Sequence, residues 1–179
     1  MVATSSISQK QIFDQKSRTF QFSPDNIKKA NRYIQQYPYN RKRSAVMPLL
    51  YLAQSQNNNW ISISAMDYIA KLLGMPSIQV YEIANFYTLF NTKPVGKYLI
   101  QICRTTPCML RGAKYITDIC KKNLQINLGD TTTDNQFTLV EVECLGACTN
   151  APLVQINNDY YENITPTYIK NLLDKLSKK

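Results

Sequence analysis

The sequence contains no histidine. That removes the usual general base near neutral pH and any mixed cysteine–histidine metal site. No apolar run approaches the roughly 20 residues that a helix needs to cross a bilayer. There is no glycine-rich loop to cradle a phosphate, no acid–base pair and no nucleophile–base pair, so the chain has no evident site for nicotinamide or flavin. No secretory signal, internal repeat or long low-complexity segment is visible. Negative charge is also scarce: 12 acidic residues stand against 21 basic ones, for a net charge of +9. The basic residues are scattered, apart from Arg41-Lys42-Arg43 and the tail from Lys175 to Lys179. Nucleic-acid binding calls for a basic stripe with interleaved aromatics in a recognisable module, and neither is present. The expectation is a solvated basic face that suits acidic protein neighbours, with no nucleic-acid partner.

What the chain does have is cysteine. It has five, and four fall in two clusters: Cys103-Arg-Thr-Thr-Pro-Cys108 and Glu143-Cys144-Leu-Gly-Ala-Cys148. Cys103 ends an apolar run that starts at Tyr98, and Cys144 ends another that starts at Phe137. Both runs read as short strands. The segment between them is long enough for a helical crossover, which makes the strands parallel. Parallel strands put their carboxyl ends on one side, so four sulfurs converge there and read as a metal site. Four thiolates suit zinc or an iron–sulfur cluster. The gaps of four and three residues are looser than common zinc knuckles, and the first matches the opening of plant-type ferredoxins. Paired disulfides are a further alternative, but five cysteines leave one over.

The longer motifs carry a resemblance. Cys103-Arg-Thr-Thr-Pro-Cys108-Met-Leu-Arg-Gly112, Glu143-Cys-Leu-Gly-Ala-Cys-Thr-Asn-Ala-Pro152 and Tyr160-Tyr-Glu-Asn resemble the thioredoxin-like [2Fe-2S] subunit of respiratory complex I, the NADH:ubiquinone oxidoreductase flavoprotein 2 family. Related subunits serve NAD-linked hydrogenases and formate dehydrogenases. Tyr81-Glu-Ile-Ala-Asn-Phe-Tyr-Thr-Leu-Phe90 and Lys93-Pro-Val-Gly-Lys97 fit it too, so the likeness runs from about Phe22 to Leu176. It implies one [2Fe-2S] cluster per chain on Cys103, Cys108, Cys144 and Cys148. It also implies single-electron exchange with FMN in a partner flavoprotein subunit that binds NADH, and contact with other peripheral-arm subunits. The implied location is peripheral on the matrix side of the mitochondrial inner membrane, or on the cytoplasmic face of a bacterial plasma membrane. A soluble hydrogenase or formate dehydrogenase subunit is the nearest alternative, and a structural zinc module or a free ferredoxin-like carrier the more distant ones. The family commonly has threonine where this chain has Arg104, and a cation there is expected to favour a reduced cluster if it faces the site.

The fold expected is α+β, a small helical bundle followed by a thioredoxin-like βαβββα domain. Residues 1–20 read as a flexible arm, 21–94 as the bundle and 95–179 as the [2Fe-2S] domain. Ser23-Pro24 opens a first helix that Pro38 ends. A second spans 44–56, a third runs from a Ser64 cap to Leu73, and a fourth opens at Ser77 and carries Val80 to Phe90. Tyr81, Phe86, Tyr87 and Phe90 are expected in the core, with docking on the flavoprotein as the family-based alternative. The second half reads as strand 97–103, helix 107–122 with a Thr106 cap, strand 137–144, a hairpin through Asn157-Asn158-Asp159, and a helix opened by Thr165-Pro166. Placing Cys108 in a first helical turn predicts a stabilised thiolate. Gly146 is expected to let the second loop turn tightly and aim amides at sulfur. Cys120, with Ile116 and Ile119, reads as a small buried hydrophobe. Asp118, Glu141 and Glu143 read as ordinary solvated carboxylates.

Overall fold

The computed structural model describes residues 19–178, and these divide between Pro94 and Val95 into two compact units. The arm expected over residues 1–20 lies outside the described residues except for its end, where Phe20 packs edge-on against Phe22 and Tyr68 at 5.5 and 5.8 Å.

The first unit is helical: α1 (Pro24–Gln35), a 3-10 turn (Tyr39–Ala45), α2 (Val46–Gln56), α3 (Ile63–Leu73) and α4 (Ser77–Phe86). Ser23 caps α1 by accepting from the Asn26 amide, and Pro24 occupies the first helical position, where no amide partner is needed. The expected second helix starts as the 3-10 turn and becomes α-helical only at Val46. Ser62, not Ser64, caps α3: it is extended, and its hydroxyl accepts from Ala65 N–H, while Ser64 bonds only to that hydroxyl. Gly74 closes α3 in the left-handed region at φ +63°.

Helix α4 stops at Phe86 rather than Phe90, because Tyr87 turns extended. Leu49, Leu50, Ile61, Ile69, Leu73 and Val80 form the fully buried centre. Of the four aromatics, Phe90 joins this core and meets Tyr51 edge-on. Phe86 is 77% exposed and does not.

The second unit contains β1 (Tyr98–Cys103), α5 (Thr106–Leu110), α6 (Ala113–Leu124), β2 (Phe137–Val142), a 3-10 turn (Cys148–Asn150), β3 (Val154–Ile156), β4 (Asp159–Tyr161) and α7 (Pro166–Ser177). The sheet order is β2-β1-β3-β4. β1 and β2 are parallel, with Cys103 opposite Val142, and the other two pairs are antiparallel. This is the expected α+β, thioredoxin-like arrangement. Ile100, Ile102, Leu139, Ile116, Ile169 and Leu173 fill the space between sheet and helices.

Three details differ from the sequence reading. The single helix over 107–122 is broken at Arg111-Gly112, where Gly112 takes φ +91° and starts a new helix. Strand β2 ends at Val142, so Cys144 lies two residues beyond it. The hairpin turn is Asn157-Asn158 alone, with Asn157 at φ +54° and Asp159 already paired to Ile156.

Candidate metal centre

The carboxyl ends of the two parallel strands place the cysteines. Cys103 closes β1 and donates its amide to Leu153 O at 3.1 Å, while Arg104 extends the ladder by donating to Val142 O at 3.0 Å. Cys108 follows on α5. Beyond β2 the chain bends through Gly146, at φ +91°, and reaches Cys148 at the start of the second 3-10 turn. A side chain at Gly146 would meet open space, so its conformation is what requires glycine.

The cysteines stand as two pairs, one on each loop. Cys144 Sγ lies 3.5 Å from Cys148 Sγ. Charge on Cys103 opposes ionisation of Cys144 and Cys148, and charge on Cys148 opposes that of Cys108. Cys103 and Cys108 are buried, whereas Cys144 and Cys148 are exposed. Each pair thus sits on a loop beyond one of two adjacent parallel strands, and Arg104 and Glu143 join those loops at 2.7 Å. Among the described residues no three Cys, Asp or Glu side chains are grouped to hold a single metal ion.

Each pair contains one acidic and one reluctant thiol. Burial pushes Cys103 up, but the Thr105 hydroxyl and the amides of Thr105 and Leu145 outweigh it and hold the thiol below its usual range. Cys108 is pushed up to about 11, first by burial and then as the partner of Cys103. This corrects the expected thiolate at Cys108: α5 has five residues and offers little dipole against that burial. The Gly146 amide, then Cys148 and the Thr105 hydroxyl, lower Cys144. Its partner Cys148 is raised as the hydrogen-bond partner of Cys144.

The surrounding residues hold these loops. Tyr160 donates its hydroxyl to Leu145 O at 2.9 Å, which steadies the residue whose amide reaches Cys103. Asn150 donates to Glu162 at 2.7 Å and accepts from Asn163 N–H at 2.7 Å. The Tyr160-Tyr-Glu-Asn motif therefore supports the second loop from β4.

Arg104 forms an ion pair with Glu143 at 2.7 Å, and Glu141 accepts from the Thr117 hydroxyl at 3.0 Å. Neither carboxylate is simply solvated. Cys120 is fully buried on α6, and burial pushes its thiol up to about 12. Sequence reasoning missed Thr105, Leu145 and Leu153 as donors to sulfur. Only Thr105, lying between two ligand positions, left a signal in the sequence.

The donor set is four thiols in two pairs, one pair buried and one exposed. That set fits a two-iron cluster, one pair to each iron. The profile of the family described as thioredoxin-like [2Fe-2S] ferredoxin matches residues 30–177. A subunit of the NADH-quinone oxidoreductase of Rickettsia conorii is 53% identical over 161 residues, covering 90% of this chain and 96% of that one. The mitochondrial NADH dehydrogenase [ubiquinone] flavoprotein 2 of Dictyostelium discoideum is 50% identical over 157 residues, covering 88% of this chain and 64% of that one. A chain of an air-oxidised NAD+-reducing [NiFe]-hydrogenase shares the fold with a TM-score of 0.64 at 20% identity, covering 72% of this chain and 23% of that one.

Proposed function

The chain belongs to the thioredoxin-like [2Fe-2S] ferredoxin family, and from that premise we propose that it is the electron-transfer subunit of an NADH:quinone oxidoreductase. The observation that carries this reading is a thiol pair on each of two loops that leave adjacent parallel strands and are joined by the Arg104–Glu143 ion pair. Cys103 and Cys108 would hold one iron, and Cys144 and Cys148 the other. A bound [2Fe-2S] cluster supplies one-electron oxidation and reduction.

The residues of the chain prepare the site for that charge. The amides of Thr105, Leu145, Gly146 and Leu153 act to lower the thiols near them and so favour added negative charge. Burial of Cys103 and Cys108 excludes water from one side, and exposure of Cys144 and Cys148 leaves the other open to a redox partner. With no base, nucleophile or nucleotide loop of its own, the chain takes the electron-transfer part of the complex and leaves hydride chemistry to a partner. That partner is a flavoprotein subunit holding FMN and NADH, with other peripheral-arm subunits alongside.

Sequence relatives at 50–53% identity carry the name of the quinone-linked enzyme, which favours it over a soluble hydrogenase. Among the described residues no helix is long and apolar enough to cross a membrane. In this reading attachment is peripheral, on the matrix side of the mitochondrial inner membrane or the equivalent cytoplasmic face of a bacterial plasma membrane. The test is an EPR spectrum of the reduced protein with iron and sulfide counted per chain. Two irons, two sulfides and a reduced-state signal are expected, whereas zinc without sulfide would replace this reading with a structural zinc module.

A further inference from the structure

Thr105 occupies the N-cap position of α5, yet its hydroxyl makes no cap bond to that helix. Threonine at such a position ordinarily turns its oxygen toward the second or third amide. Here the hydroxyl lies 3.2 Å from Cys103 Sγ instead. The hydroxyl is therefore turned toward the cysteine that ends β1.

We propose that Thr105 is a positioning and tuning residue, whose hydroxyl meets the Cys103 sulfur and favours the reduced state of a two-iron centre held there. The proposal rests on the function argued above. A donor aimed at sulfur gains strength as negative charge accumulates on it, so the hydroxyl stabilises the reduced form more than the oxidised one. Forgoing the helix cap is consistent with that role. The bond to sulfur takes the place of the cap bond that the hydroxyl forgoes.

The test compares the full chain, reconstituted with iron and sulfide, with T105V and T105S. Valine keeps the branched shape without the hydroxyl, and serine keeps the hydroxyl without the methyl. At the potential that half-reduces the wild type, T105V is expected to show a reduced-to-oxidised ratio about five-fold lower, and T105S a ratio near the wild type. Resonance Raman bands of the iron–cysteine bonds should move in T105V and return in T105S. A loaded T105V that titrates with the wild type overturns the proposal and leaves the electron-transfer reading intact. If T105V loses its iron while T105S keeps it at the wild-type potential, the hydroxyl is again required. If both lose it, side-chain shape is what matters and the proposal fails. A wild-type chain holding zinc without sulfide overturns this proposal and the function together.

Discussion

Arg104 Nη2 lies 2.7 Å from Glu143 Oε1, and Arg104 Nε lies 3.1 Å from the same oxygen. Each residue adjoins a cysteine of a different pair, so the ion pair links the two ligand loops just beyond the β1–β2 ladder. Arg104 is held further toward its charged form by that carboxylate. The cation expected from the sequence is therefore matched by an anion, and its field at the sulfurs is largely cancelled.

Removing one member unmasks the other. Arg104→Thr leaves the Glu143 carboxylate alone beside Cys144 and should lower the midpoint potential; Glu143→Gln should raise it. Both side chains are well exposed, so the shifts are small and shrink as salt is added. Redox titrations at low and high ionic strength check this. An unchanged or higher midpoint in Arg104→Thr would contradict it.

Gly96 is a packing requirement of the second unit. A Cβ there would meet the Phe137 backbone at 2.8 and 2.9 Å, and the Gly96 amide donates to the buried Thr138 hydroxyl at 2.6 Å. Backbone cannot step aside as a flexible side chain can. Gly96→Ala is expected to cost about 1–3 kcal/mol, read from the denaturant midpoint.

Cys120 separates structure from ligation. It is fully buried on α6, and burial alone shifts its thiol, with no contribution from the other four cysteines. Cys120→Ala should leave the visible and EPR spectra of the loaded chain unchanged, at a stability cost on the order of 1 kcal/mol. Cys144→Ala removes one of the four sulfurs and should abolish those spectra in their native form. Spectra lost in Cys120→Ala would reassign the fifth thiol as a ligand.

Tyr81 gives the first unit a pH signature. Burial, with the hydrogen bond to Asp67 and its charge, pushes the phenol up to about 12. The unfolded chain releases this proton near 10, before the folded chain does. The stability it contributes is thus fully present below pH 10 and lost as pH rises toward 12. Tyr81→Phe has no such proton, so its stability should fall less steeply across that window. Chemical denaturation between pH 9 and 12 measures the difference, and identical slopes would show that the pairing contributes nothing there.

Local chemistry made much of the architecture readable. Ser23-Pro24, Gly74 and Thr165-Pro166 mark helix ends because their dihedrals and side-chain oxygens act within a few residues. The parallel pairing of β1 and β2 followed from the length of the segment between them. The errors fell where neighbouring residues compete for one local role. Ser62 and Ser64 both offer a capping hydroxyl, and backbone conformation chose the first. Thr105 and Thr106 likewise both precede Pro107, and the earlier one became the N-cap. The extent of α4 was misjudged because Phe90 is buried by packing without being helical.

By itself the sequence determined the candidate donors: four thiols, two spacings and no imidazole, since ligand chemistry belongs to residue types and needs no fold to be recognised. Tertiary structure alone decided how those donors are divided and poised. Which thiol of each pair is acidic depends on amides from Leu145 and Leu153, supplied by distant segments of chain. Whether Arg104 acts on the site depends on Glu143, and Thr105 turns its hydroxyl to Cys103 Sγ rather than to the helix it precedes. Electrostatic effects reach only a few ångströms, so they follow the neighbours that folding supplies rather than those adjacent in the chain.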